Sequence, residues 1–138
     1  MSNPTFDILF ALLLIFCIIA CAFAPTVDEK SDKQAMGVIQ GATIISAIIC
    51  VASIILLLPF SNNFRKGVLD IDIKTYIMLA TAGLLSTISL SAVWNNPNNA
   101  KATWVLVMNG LGTAFYGASA AALVVPHINV DDKNKPST

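Results

Sequence analysis

The chain has 138 residues, of which 56% are hydrophobic and 12% charged, with a mean hydropathy of +0.74. A soluble domain of this size carries about a quarter charged residues; half that charge excludes a disordered chain and points to a lipid-embedded protein. Eight Lys and Arg balance eight Asp and Glu, leaving no basic field to attract nucleic acid.

The charges sit at Asp7, within 28–33, within 65–74, at Lys101 and within 131–135. Between them lie uncharged stretches at 8–27, 34–64, 75–100 and 102–130. A bilayer core of about 30 Å needs roughly 20 apolar helical residues, and each stretch is long enough. Membrane β-strands alternate apolar and polar residues, which these stretches do not. The expected fold is therefore an all-α integral membrane protein. Its four transmembrane helices lie near 5–24, 35–59, 73–94 and 101–126, in an antiparallel up-down bundle with a short polar tail over 127–138.

The first helix opens at Asn3-Pro4 and stops before Pro25, proline being favoured at a first helical position and just past an end. Ala22-Phe23-Ala24 and Ile18-Ile19-Ala20-Cys21 have the form of leader-cleavage signals. The preceding segment carries Asp7 and no Lys or Arg, so a retained helix is favoured. Large residues run nearly all round it, from Ile8 to Ile19, which places it at the periphery. Cys17 and Cys21 share one face and, with Cys50, read as small buried side chains.

The second helix starts at a capping box of Ser31 and Gln34 and stops before Pro59. It begins with Gly37-xxx-Gly41 and continues with Ala42, Ser46 and Cys50. The acidic pair Asp70 and Asp72 lies in an alternating stretch leading into helix three, which Asp72 is expected to cap. Helix three offers Gly83, Thr87 and Ser91 beside Ala82, Ser86 and Ser89, and Pro97 follows it. Asn99 is expected to cap helix four. Trp94 and Trp104 flank this connection as interfacial anchors, with Phe60, Phe64 and Tyr76 serving the other boundary.

Helix four repeats Gly110, Ala114, Ala118 and Ala122, with Thr113, Gly117 and Ala121 alongside. Helices in lipid associate through such small residues, so helices two, three and four are expected to form the tight centre. Asn109 is the strong polar side chain inside this span, and a Ser or Thr of helix three is its expected partner. The single histidine, His127, follows Pro126 at the membrane edge.

No titratable group is expected deep inside a span, which argues against an ion-coupled transporter. No nucleophile–base pair or ligand cluster is visible. The expectation is no catalytic, cofactor-binding or metal-binding residue, no cofactor and no enzymatic activity. The partners expected are the bilayer and other membrane subunits, not nucleic acid. Arg65, Lys66, Lys74, Lys133 and Lys135 outnumber Lys30, Lys33 and Lys101 across the two sides, placing both termini in the cytoplasm. The leading reading is a structural anchor or accessory subunit of a larger cellular or viral membrane assembly. The alternative is a small oligomeric transporter or pore, lined by Ser86, Ser89 and Asn109. On the small-face reading, a Gly117→Leu change loosens the bundle and lowers its stability in detergent.

Overall fold

Four helices long and apolar enough to cross a membrane dominate the computed structural model of the chain. The structure describes the backbone of residues 4–27, 33–59 and 72–134, and the side chains of 5–27, 33–59 and 72–125. Helix α1 runs Pro4–Phe23, α2 Lys33–Leu57, α3 Ile73–Asn95 and α4 Thr103–Asn134. Short 3-10 turns follow α1 at Ala24–Thr26 and precede α4 at Pro97–Lys101. Among the described residues there is no strand. Ser31, Phe60, Phe64, Arg65, Lys66 and Asp70 lie outside the described residues, as do the side chains of His127 and of the lysines beyond it.

The helix ends fall within two residues of those expected, except the last. Helix α4 passes Pro126 and continues to Asn134, so a polar tail starting at 127 is replaced by a helical extension. Proline deletes one rung of the ladder, whereas each residue of 127–134 keeps its own N–H and can continue the helix.

Two expected caps differ. Asp72 occupies the N-cap position of α3, but its side chain makes no capping bond; its carbonyl accepts from the Thr75 and Tyr76 amides at 3.0 and 3.2 Å. Asn99 does not cap α4. It sits in the 3-10 turn, and its Nδ2 donates back to the Ala92 carbonyl at 3.0 Å, closing the end of α3. Asn96 accepts from the Asn98 amide at 3.1 Å and caps the turn itself.

Packing follows a spacing of alternating three and four. Buried positions are Ile39, Ala42, Ser46, Ile49, Ser53 and Leu56 on α2; Tyr76, Leu79, Gly83, Ser86, Leu90 and Val93 on α3; and Val105, Asn109, Gly112, Tyr116, Ser119 and Leu123 on α4. This heptad-like seam belongs to helices crossing at a shallow angle. Helix α2 packs mainly on α3, α3 on α4, and α4 on α1, while α1 and α2 meet much less. One core cluster joins Ala20, Cys21, Ala24, Ile39, Ala42, Leu90, Val93 and Val105. The other joins Leu14, Cys17, Ile49, Leu56, Tyr76, Leu79, Tyr116 and Leu123.

Three expectations change here. Helix α1 is the least embraced of the four, as expected, but it is not simply lipid-facing: Asp7, Ala11, Leu14, Cys17 and Cys21 are buried, and this face packs on α4. Large residues do surround much of α1, but a narrow row of smaller ones lets it dock. Tyr76 is fully buried rather than a boundary anchor, because it lies on the Leu79–Gly83 row of α3. The small row of α4 faces outward: Gly110, Ala114, Ala118 and Ala121 are exposed. A Cβ added at Gly37, Gly110 or Gly117 would meet no atom within 4 Å, and one at Gly41 would only touch the Phe16 ring at 3.9 Å. The larger, more polar face of α4 turns inward instead, because its polar groups find partners there.

Close backbone approach occurs elsewhere. A Cβ on Gly83 would stand 2.7 Å from the Ser46 carbonyl oxygen and 2.9 Å from the Cys50 backbone nitrogen. Overpacking of that kind costs about 1–3 kcal/mol. Gly83→Leu should lower detergent unfolding stability by ~2 kcal/mol or more, while Gly117→Leu should stay within about 0.5 kcal/mol of the parent. The reverse order in equilibrium unfolding would show that the outward face carries the packing.

Candidate functional site: a buried polar seam

The inward faces carry more than hydrocarbon. Thr43, Ser46 and Ser53 of α2, Thr75, Ser86 and Ser89 of α3, and Asn109 and Ser119 of α4 are all buried, as is Asp7 one turn into α1. The outward faces carry Ile8, Leu12, Ile44, Ile48, Val51, Leu84 and Val107, each about half exposed or more. That distribution inverts the usual one for water, where exposed apolar area costs ~25 cal/mol per Å².

The seam starts near the Pro97–Lys101 turn. Ser89, six residues before the end of α3, donates its hydroxyl to Asn109 Oδ1 at 2.6 Å. Asn109 lies equally far into α4, so the connecting turn brings the two level. The Ser89 hydroxyl also lies 3.2 Å from the Ser86 carbonyl. Asn109 is 2% exposed, and its Nδ2 has no hydrogen-bond partner. Ser89 meets only one side of the amide, so exchanging its O and N leaves the other side open just the same.

One turn deeper, Ser86 Oγ and Cys21 Sγ stand 3.5 Å apart, joining α3 to α1. Beside them, the Thr113 hydroxyl of α4 donates to the Asn109 carbonyl at 2.8 Å. Deeper again, Tyr116 donates to Ser46 Oγ at 2.8 Å, and Ser46 Oγ points to Cys17 Sγ at 3.8 Å. Amide, hydroxyl, thiol and phenol groups from all four helices thus meet in one column. A hydrogen bond between helices in lipid is worth roughly 0.6–1.7 kcal/mol, and each one here also fixes register.

The column is closely packed at Gly112: a Cβ there would come 2.5 Å from Ser86 Oγ, so a side chain at this position would have to turn that hydroxyl away from its place. Toward the end of α4 the column gives way to Leu14, Ile49, Leu56, Leu79 and Leu123, packed in one cluster. Other hydroxyls are satisfied within their own helices: Thr43 bonds the Ile39 carbonyl at 2.7 Å, Thr87 that of Gly83 at 2.6 Å, and Ser91 that of Ile88 at 2.9 Å. These bonds return to the preceding turn, as hydroxyls inside helices commonly do.

The structure brings together Ser86, Ser89 and Asn109. It adds Cys17, Cys21, Ser46, Gly112 and Tyr116, which the sequence reading treated as packing or passed over. The three-four spacing of Asn109, Gly112, Tyr116 and Ser119 was the available signal. Trp94 and Trp104 stand half exposed on either side of the connecting turn. Among the described residues, no three His, Cys, Asp or Glu side chains cluster as metal ligands would, and the three cysteines are free thiols. No family model, curated protein or solved structure matches the chain.

A double-mutant cycle on Ser89→Ala and Asn109→Ala should return a coupling of about 1 kcal/mol in detergent unfolding. Strict additivity would mean that the 2.6 Å bond does not hold α3 to α4.

Proposed function

We propose that the chain is a non-enzymatic, multi-pass membrane protein that serves as a structural anchor or accessory subunit of a larger membrane assembly. The observation that carries this reading is the fate of its polar side chains. They are largely consumed in joining the four helices or in bonds to carbonyls of their own helix, and the surface left over is mostly apolar. A column of hydroxyls and thiols packed around Gly112 offers no acid–base pair to a substrate. What remains for interaction is the outside of the bundle, including the smooth α4 face of Gly110, Ala114, Ala118 and Ala121, and the Trp94 and Trp104 boundary.

The arrangement we infer is up-down-up-down. In its support, one core cluster gathers the end of α1, the start of α2, the end of α3 and the start of α4, while the other gathers the middle of α1, the end of α2, the start of α3 and a later stretch of α4. Both termini then share a side, and the Lys and Arg excess argues for the cytoplasmic one.

A second reading, a small oligomeric pore or transporter, is favoured by one observation: the open half of the Asn109 amide, buried beside Ser89 and Ser86. Against it stands the leucine cluster that follows the column. Two measurements separate the readings. In a liposome solute-flux assay, the wild-type chain should conduct no more than empty vesicles; flux that disappears in Asn109→Leu would overturn the structural reading. Purified in mild detergent from its native membrane, the chain should carry a stoichiometric partner, whereas a self-contained oligomer would support the pore.

A further inference from the structure

Where α1 and α2 part, an apolar crevice of about 260 Å³ opens, with α3 behind it. Phe6, Phe10 and Leu13 form one wall, Ile48 and Ala52 the other, and Leu79 the floor. Ser53 and Tyr76 supply the only hydroxyls among the lining residues. The Phe6 and Phe10 rings stack at 6.2 Å, making the α1 wall continuous.

The size of the crevice limits what fits. A methylene group is close in size to a water molecule, whose share of liquid volume is ~30 Å³, so there is room for a slender chain of them. From Phe6 to Leu13 the wall is seven residues long, about 10 Å at ~1.5 Å per residue. An extended chain covers ~3.5 Å in three bonds, so that length takes about ten carbons, and the α2 wall from Ile45 to Leu56 is longer still. A crevice this small, apolar and open to the outside of the bundle suits a single file of methylenes. A helix of a second copy is about 10–12 Å across, and a stable protein interface buries ~800 Å² on each side; a crevice of this size suits neither.

We propose that this crevice binds one acyl chain of a membrane lipid, holding a stretch of about ten carbons between α1 and α2. The site rests on the membrane reading above. It lies toward the start of α1 and the end of α2, so the lipid enters from the leaflet that holds those two ends. The chain fills the gap left where the two helices diverge and completes the bundle on the side that protein contacts leave open.

The test is photolabelling of the full chain in liposomes, with a phosphatidylcholine carrying a diazirine on its acyl chain at rising mole fraction. Labelled sites are mapped by mass spectrometry. The outward face of α4 at Leu106, Val107 and Leu111 is the reference for ordinary lipid contact. Labelling of Leu13, Ile48 and Ala52 should saturate at low probe fraction, while the α4 reference rises in proportion. Ala52→Phe, which fills the crevice from its wall, should lower crevice labelling severalfold and leave the reference unchanged, with the melting profile in detergent showing an intact bundle. Crevice labelling that rises in proportion and ignores Ala52→Phe would overturn the site. Absence of labelling on α4 as well as in the crevice would overturn the membrane reading and the site with it.

Discussion

A polar side chain that has no water to turn to must find another polar side chain, and that single requirement organises this bundle. Each helix has a face rich in branched aliphatics and a face with serine, threonine, cysteine, asparagine or tyrosine. If water were the surroundings, the aliphatic faces would pack together and the hydroxyls would point out. The opposite is seen: Ser46, Ser86, Ser89 and Tyr116 are fully buried, while Ile8, Ile48 and Val107 are among the most exposed. Hydrocarbon outside the bundle makes that arrangement favourable, because aliphatic side chains lose nothing there and hydroxyls gain only inside.

Once the polar faces turn inward, the remaining geometry follows. Hydrogen bonds between short side chains demand close backbones, and glycine is needed where those backbones meet. Gly83 lies against the Ser46 carbonyl and Gly112 against the Ser86 hydroxyl, so both tight approaches sit beside members of the column. The same bonds fix register: Ser89 to Asn109 sets α3 against α4, Cys21 to Ser86 sets α1 against α3, and Tyr116 to Ser46 sets α4 against α2. Helices α1 and α2 touch little, and their main link through this column is the long Ser46–Cys17 contact. It is there that the bundle opens a crevice.

The number, place and approximate ends of the helices were legible because charge gaps and prolines report directly on the length of an apolar span. Which face of each helix turns inward was not legible from the rule that small residues mark interfaces. On α4 that rule selected Gly110, Ala114 and Ala118, which are exposed, over the row containing Tyr116 and Leu123. Bulk misled: a large phenol with a hydrogen-bonding tip belongs inside when its tip has a partner and the neighbouring helix offers a hydroxyl. On α1 the burial of Cys17 and Cys21 on one face was legible, but a thiol's partners come from other helices, so the docking of that face was not. The pairing of Asn109 with a helix-three hydroxyl was legible, since an amide inside a span can bond only to what faces it. The run of α4 past Pro126 was not, because a proline marks where a helix can stop and not where it must.

The account depends on hydrocarbon as the medium around the exposed aliphatic faces. The most direct test is to wash membranes carrying the full chain with alkaline carbonate, without surfactant, and to sediment them at high speed. The chain should remain in the pellet and enter solution only when detergent is added. Recovery of folded, helical protein in the detergent-free supernatant would contradict the account, because Ile48, Val51 and Val107 would then be facing water.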